Sequence, residues 1–468
     1  MYREFMITAV LSLVLTAADA EAELPLSDPL WQWLRPAATA AGEPLDGIRP
    51  DCGIPLSAGR GWNGLLSASR TLAAEGRHRI GDGWLGIDGR AVVEGATKND
   101  GQIRAGTALR IRADITDDLS LHERLSVWAG SDERPPHHFS PYHLGLEEGR
   151  HLYADWGYAS YTPGVIGLSL GRIPQSWGPG RYSNLLLSDN SPALDMLLFS
   201  AKPADWFAFT GFTASVDSDS AAYLTVHRVE LTPAADLRIG LSEAIFYCSE
   251  GLELAYMNPF IPYYPVQWNE RKDDNAFIAF DGEWVPAPGL SVWGELLVDD
   301  FQYRTQFDRP NKLAWTVGTE TAWRSGGFAN AEYTRVARYV YSQRRSCNYY
   351  LHDGRIIGSP LGPDADRVTV GGGWAGLWPL AARATVSHTR KGEGTVYEGW
   401  PDSAASGGEF PSGTIEYTTR ASIRLSGYPA GPLELHGGFS RSWLRNAGHV
   451  SGASDSEDRG WLQAIWKW

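Results

Sequence analysis

Cysteine is scarce in this chain. Three cysteines occur in 468 residues, Cys52, Cys248 and Cys347. They are too few for a disulfide framework, and their spacing matches no zinc motif. At most one pair can form a bridge, so neither disulfides nor a bound metal is the basis of the fold.

Long apolar runs and an excess of basic charge are also missing. After the N-terminus no apolar run reaches the roughly 18 to 20 residues that a membrane-spanning helix needs. Charged residues make up 21% of the chain. Because no apolar run is long enough for a spanning helix, any membrane crossing is made by strands. The net charge of -14 argues against a nucleic-acid partner, because phosphate binding needs clustered Lys and Arg.

The first twenty residues have the outline of a secretory signal peptide. Arg3 precedes an apolar run from Phe5 to Leu15, and the small residues Ala18 and Ala20 offer a cleavage site. The alternative is a buried N-terminal helix. A signal peptide over residues 1–20 predicts export to or past the periplasm.

Residues 21–88 show helical signals in place of alternation. Asp28 before Pro29 is typical of a helix start. The stretch from Trp62 to Glu75 carries an apolar face and ends at Gly76. This range is predicted to be a small, partly helical periplasmic segment.

From Gly89 onward apolar and polar residues alternate. In Thr107 to Thr116 one face is apolar, whereas the other carries Arg110, Arg112 and Asp114. Ile415 to Leu425 repeats the pattern. A charged face opposite an apolar face cannot form a sandwich core without burying guanidinium groups, whereas a wall between lipid and a wet lumen suits both faces.

About eighteen such segments occur, and an even number is what a closed antiparallel barrel needs. Tight connections such as Asp117-Asp118 alternate with long ones such as Pro174 to Ser191, which is typical of periplasmic turns and outer loops. Twenty Trp and twenty Tyr suit the two membrane interfaces. The fold class is therefore predicted to be all-β, with a transmembrane antiparallel barrel over residues 89–468.

The last strand predicts which face meets lipid. Leu462, Ala464, Trp466 and Trp468 share the apolar face, and Gln463 and Lys467 lie on the other with Trp461 and Ile465. A soluble core strand is the alternative for this segment by itself. In a barrel, this strand closes against the first one.

Two long loops carry side chains of the types that bind sugars. Aromatic faces stack on pyranose rings, and Arg or amide groups bond to hydroxyls or carboxylates. The alternative is that the loops plug or brace the barrel, and the two roles are compatible. The candidate residues are Trp177, Arg181, Tyr263, Tyr264, Trp268 and Asn269.

At these loops the chain resembles the capsule-assembly outer-membrane proteins of the Wzi family. The resemblance covers roughly residues 89–468. It implies an outer-membrane barrel of about eighteen strands, occluded by its outer loops, that holds capsular polysaccharide at the cell surface in a lectin-like role. The matching residues are Gly171, Arg172, Trp177, Gly178, Pro179, Gly180, Leu187, Ser188, Glu243, Tyr256, Asn258 and Pro259.

Other constellations are weaker. His137, His138 and His143 lack a carboxylate or cysteine at ligand spacing, so they are interpreted as surface histidines. The strand-borne pair His436 and Ser440 shows no orienting acid. Together with the family resemblance, the sequence predicts a non-enzymatic monomer without cofactor or metal, with capsular or other surface polysaccharide and outer-membrane lipid as partners. A porin and an outer-membrane hydrolase are the rival functions.

The cysteines give one further expectation. By strand order Cys248 and Cys347 lie in long loops on the same side, whereas Cys52 lies in the periplasmic segment. Only the first two can meet. A bridge requires a Cα separation of about 4.4 to 6.8 Å, and both a bridge and two free thiols remain open.

Overall fold

The computed structural model describes residues 77–80, 83–97, 102–129, 143–145, 150–217, 221–270, 272–300, 310–323, 325–377, 380–401, 409–430 and 433–467. Side chains are described from residue 106 onward. The predicted signal peptide and most of the predicted periplasmic segment lie outside these residues, so both stay predictions.

Strands dominate this part of the chain. The strands are β1 Arg77–Ile80, β2 Gly83–Thr97, β3 Gln102–Asp114, β4 Leu119–Ala129, β5 His143–Gly145, β6 His151–Tyr161, β7 Ile166–Ile173, β8 Leu194–Ala204, β9 Phe207–Asp217, β10 Ala222–Ala234, β11 Leu237–Cys248, β12 Asn275–Ala287, β13 Leu290–Asp300, β14 Lys312–Ala322, β15 Gly327–Val336, β16 Leu351–His352, β17 Arg355–Ile356, β18 Ala365–Leu377, β19 Leu380–Lys391, β20 Glu416–Ala430, β21 Leu433–Arg445 and β22 Ser454–Lys467. Two helices, α1 Leu254–Met257 and α2 Tyr263–Glu270, lie between β11 and β12, and 3₁₀ turns occupy Ser346–Asn348 and Ala447–His449.

Within the described ranges the long strands form a closed antiparallel ring. Each pairs with its neighbour in the chain, the pair β4 and β6 enclosing the short β5, and the pair β15 and β18 enclosing the small sheet of β16 and β17. The ring closes because β2 pairs with β22, with Arg90 opposite Lys467 and Thr97 opposite Gly460. Of the twenty strands in this sheet, β1 and β5 stand outside the ring, which leaves the predicted eighteen.

The predicted assignment of strand faces, one to lipid and the other to the lumen, is confirmed. In β22 Leu462 is 64% exposed, whereas Ile465 is only 9% exposed and packs with Trp128 and Tyr153. In β20 the outward Ile423 and Leu425 are likewise exposed, and between them Arg424 turns inward over the ring of Trp461. Trp468 lies outside the described residues.

Exposed aromatic rings mark both ends of the apolar wall. At the short-turn end they are Tyr161, Trp206, Trp284, Trp323, Trp374 and Trp466. Toward the long-loop end Trp443 is exposed, and Trp315 packs against Tyr333 with ring centroids 5.0 Å apart. These are the two interfacial belts expected of a membrane barrel. No helix of the described residues is long and apolar enough to cross a membrane.

Two strand ends differ from the sequence prediction by five residues or more. β2 begins at Gly83, so the first strand reaches six residues into the range assigned to the periplasmic segment. β15 ends at Val336, although alternation continues to Tyr341. There the backbone leaves the sheet because Tyr339 and Tyr341 adopt φ values of 71° and 70°, which no strand accommodates.

Candidate functional site

Residues 174–193, between β7 and β8, form a loop that crosses the lumen; we call it the crossing loop. It leaves the wall at Ile173, yet Arg181 contacts Glu283 on β12 and Tyr182 contacts Asn330 on β15. β7 and β15 are nearly opposite each other in the ring of strands. The loop therefore fills the barrel as the plugging alternative predicts.

Arg181 anchors this loop to the far wall. Its backbone N–H donates to Glu332 at 2.7 Å, and its guanidinium donates to Glu283 at 2.8 Å. The guanidinium also lies 3.9 Å from the ring centre of Trp293. Because a buried charge is tolerated only when it is paired, these inward carboxylates both require and hold the arginine.

Glu295, an inward residue of β13, binds the backbone of the loop. Its carboxylate accepts from Gly180 N at 3.1 Å and from Leu185 N at 2.8 Å. At Gly178 φ is +129°, and a Cβ there would lie 2.5 Å from Glu295 Oε1. This close approach explains why the loop carries glycine at that position.

The loop between β15 and β18, residues 337–364, lies over the crossing loop. The phenols of Tyr341 and Tyr350 donate to the carbonyl oxygens of Leu185 and Leu186, at 2.7 and 3.1 Å. Burial raises the pKa of both phenols, which keeps them neutral donors. The crossing loop is thus fixed from above as well as from the wall.

The described parts of the loop between β19 and β20, residues 392–401 and 409–415, add a third layer. Asp364 accepts from Gly394 N at 2.9 Å and from Ser412 N at 3.0 Å, and the Ser412 hydroxyl also donates to it. One carboxylate therefore joins the second and third layers.

A helical hairpin, residues 249–274, lies on the opposite side of the wall. It carries α1 and α2 and packs on the outward face of β10 to β12, where Ile245 and Tyr247 are buried against Tyr256 and Tyr263. Glu243, also outward, accepts from the N–H groups at the start of α2. The second of the two loops singled out in the sequence thus covers the outside of the barrel.

The six residues predicted to bind sugar are divided between these two places. Trp177 and Arg181 are buried in the lumen, and Tyr263 is buried under the hairpin. The exposed members are Tyr264, Trp268 and Asn269, on the outer side of α2. The structure does not bring the six together, and sugar contact at any of them stays a prediction.

An aromatic surface that the sequence interpretation missed lies on top of the outer loops. Tyr397 is 61% exposed, and its carbonyl accepts from the Tyr349 hydroxyl at 3.0 Å, with ring centroids 6.0 Å apart. Beside it Arg338 Nε donates to Glu398 at 2.9 Å, and a second guanidinium nitrogen bonds to the same carboxylate. The available signal was the pairing of aromatic and charged residues inside two long loops.

The pair His436 and Ser440 does not form, and an acid that the sequence interpretation missed, Glu434, lies beside His436. His436 bonds Ser426 at 3.0 Å and Glu434 at 3.4 Å, whereas Ser440 bonds Arg420. Ser426 is buried. In the part of the chain with described side chains, no group of three or more His, Cys, Asp or Glu is placed to hold a metal ion. The histidine loop around His137 lies outside that part.

Cys248 and Cys347 meet, as their placement predicts. The Cys248 thiol donates to the Cys347 carbonyl oxygen at 2.9 Å, and both thiols are free. Cys52 lies outside the described residues.

Comparison with known proteins identifies the family. The model of the family "Capsule assembly protein Wzi" matches residues 87–455. The chain belongs to the Wzi capsule-assembly family. A search of curated proteins finds no match.

Solved structures support the same fold for this Wzi-family chain. It is similar to Wzi of Escherichia coli, an outer-membrane protein involved in group 1 capsule assembly and a carbohydrate-binding β-barrel, at a TM-score of 0.60 and 15% identity over 98% of this chain and 97% of that one. It is also similar to OprD of Pseudomonas aeruginosa, at a TM-score of 0.51 and 10% identity over 85% and 97%. The protein is an outer-membrane barrel of a Gram-negative-type bacterium.

The residues that carry the Wzi-family resemblance have structural roles here. Arg172 binds Asp195 of β8 at 3.0 Å and fixes the base of the crossing loop. Gly171 has φ +136°, and a Cβ there would lie 2.3 Å from the Gly157 carbonyl oxygen. Asn258 and Pro259 form the tip of the helical hairpin, with Asn258 Oδ1 accepting from Phe260 N. The family motif therefore positions the two loops.

Proposed function

We propose that the protein holds capsular polysaccharide at the long-loop end, as a lectin-like attachment protein. The observation that carries the proposal is the crossing loop, which leaves the wall at Ile173 and bonds to the far wall through Arg181 and Tyr182. A barrel filled in this way suits surface binding better than diffusion through the lumen. The carbohydrate-binding E. coli relative supports the same reading.

The surface of Tyr349, Tyr397, Arg338 and Glu398 is the proposed contact for sugar. An exposed aromatic ring can stack on the apolar face of a pyranose. The bidentate pair of Arg338 and Glu398 is one-third exposed, so it can offer donors and acceptors to hydroxyls. Trp268 and Asn269, in the last turn of α2 near the base of the hairpin, provide a second exposed surface for the same ligand, and Tyr264 packs beside Trp268.

Binding of purified capsular polysaccharide to single variants tests the proposal. Tyr397→Ala removes a stacking face, and Arg338→Ala removes a charged donor worth about 1 to 3 kcal/mol. Both variants should shed capsule into the medium at normal barrel yield. Val450→Ala, at an exposed apolar position in the loop before β22, is the matched control.

Trp268→Ala separates the two aromatic surfaces. Loss of binding with Trp268→Ala alone would transfer the site to α2, whereas full cell-attached capsule in every variant would refute the attachment function.

A saccharide-selective porin is the second candidate, since the OprD fold is similar. Steady open pores of the wild-type protein in a planar bilayer would favour it.

A further inference from the structure

The tip of the helical hairpin lies against the lipid-facing wall. The Phe260 ring stacks on the Phe209 ring, with centroids 6.3 Å apart and planes 19° apart. Higher on the wall the Tyr263 ring lies 4.4 Å from the His227 ring. Phe209 and His227 both point outward, because their neighbours Thr210 and Arg228 are buried on the inward face.

The depth of this contact follows from the aromatic belt. Phe209 comes three positions after Trp206, which belongs to the belt at the short-turn end. The apolar band of such barrels is about 25 Å tall, which tilted strands cross in about ten residues. The hairpin starts at the long-loop end and reaches Phe209, so its tip descends well into that band.

The composition of the hairpin matches this depth. No charged residue occurs between Glu253 and Glu270. At the base Lys272 bonds Glu253 at 3.1 Å and Glu270 at 2.8 Å, and this bond lowers the pKa of Glu253. Charge is therefore kept at the long-loop end and absent from the tip.

Large apolar side chains of the hairpin are exposed. Phe260 is 85% exposed, and Leu254 and Ile261 are exposed as well. They continue the apolar surface of the wall below, where Leu241 and Phe280 are paired and exposed. A patch of this kind in water would be an aggregation site, whereas in the bilayer it is ordinary lipid-facing surface.

The carboxylate beneath the hairpin and the first N–H groups of α2 find their partners within the protein. Glu243 Oε1 accepts from Tyr263 N at 2.9 Å and from Tyr264 N at 3.0 Å, and Pro265 has no N–H to satisfy. Glu243 also pairs with His227 at 3.2 Å. Irregular backbone at membrane depth requires this kind of internal partner.

We propose that the tip of the hairpin, with Phe260 and Ile261, and Leu254 nearer its base form an interaction surface for the acyl chains of outer-leaflet lipid. The hairpin then lies between lipid and the wall of β10 to β12, and it shields the outward pair of Glu243 and His227 from the bilayer. At this sector the protein meets lipid through helices.

Spin-label accessibility tests the proposal in the full chain. Cys52, Cys248 and Cys347 are replaced by Ser, and a nitroxide is attached at Phe260→Cys in vesicles of phosphatidylethanolamine and phosphatidylglycerol. Leu241→Cys provides the lipid-facing reference and Val450→Cys the aqueous one. For the label at position 260, we compare its collisions with oxygen to its collisions with a water-soluble nickel chelate. This ratio should lie within twofold of the ratio for the Leu241 label and at least threefold above the ratio for the Val450 label.

Two results would overturn the proposal. One is a ratio at Phe260 equal to that at Val450, and the other is dipolar broadening that shows a second copy seated on the tip. Phe260→Asp in the chain with native cysteines is the second test, since it does not depend on the cysteine replacements. It should lower membrane insertion at least threefold relative to Val450→Asp, and equal insertion would also overturn the proposal.

Discussion

The guanidinium of Arg181 lies on the indole ring of Trp293, 3.9 Å from its centre, although Arg181 belongs to the loop after β7 and Trp293 to β13, six strands further around the ring. Cation–π contacts that are shielded from water stabilise by about 2 kcal/mol. This contact and the bond to Glu283 fix the crossing loop in the lumen.

Arg181→Ala should loosen the plug. It leaves Glu320 without its buried counter-charge and Glu283 with Arg238 alone, and breaking a buried pair costs about 3 to 5 kcal/mol. The variant should conduct ions in a planar bilayer while it still binds polysaccharide. Arg424→Ala, which removes an inward arginine from the ring of Trp461 instead, is the control and should stay closed. A closed Arg181→Ala barrel that sheds capsule would assign the arginine to the sugar site.

Adjacent residues of β22 test the lipid-facing phase. Leu462→Arg places a charge on the lipid-facing wall, which destabilises a barrel by about 2 to 4 kcal/mol near the bilayer midplane. The side chain of Gln463→Arg points into the lumen, where a charge is tolerated. Heat-modifiable folded barrel in isolated membranes should fall for the first variant only. Equal yields would contradict the phase.

The cysteines offer a distance test. Since the Cys248 thiol reaches the Cys347 backbone, mild oxidation should join these two residues. Mass spectrometry of non-reduced peptides measures the product. A peptide that links Cys52 to either partner would refute the placement of Cys52 on the periplasmic side.

The orientation of the barrel is open to surface labelling. An epitope inserted in the loop Gly392 to Ser412, away from the residues that Asp364 binds, should be detected by antibody on intact cells. The same epitope between Asp117 and Asp118, in a short turn, should require permeabilised cells. The reverse pattern would invert the barrel.

His352 predicts that the stability of the loop over residues 337–364 depends on pH. Burial lowers the pKa of its imidazole below the ordinary value, so the folded state disfavours the proton. The stability of the loop over residues 337–364 is then present above about pH 6.5 and is lost as the pH falls below it. Protease cleavage within the loop should rise from pH 7 to pH 5, and His352→Gln should abolish the difference. His388→Gln, on an exposed strand face, should leave it intact.

The strands were predictable because their signal is local. Alternation with a period of two is written into each segment, as in Ile423, Arg424 and Leu425, and it fixes both the face and the number of strands. The strand ends were less predictable, because left-handed residues such as Tyr339 end β15 without a glycine.

The positions of the loops were not predictable, because their contacts join distant parts of the chain. The sequence around Arg181 does not indicate that this residue will bond to Glu283 and Glu332. For the hairpin one local signal existed. The upper half of β11, from Ala244 to Tyr247, is apolar on both faces, which is typical of a strand covered on both sides.

The closing pair of β2 and β22 also sets the order of assembly. The first strand of the ring has no partner on one edge until the last strand has been delivered, and an unpaired edge cannot persist in lipid. The carboxylates that hold Arg181 lie on β12 to β15, synthesised long after the crossing loop itself. A nearly complete, open sheet therefore needs its free edges shielded until β22 arrives, and the plug cannot be anchored before β12 to β15 are in place.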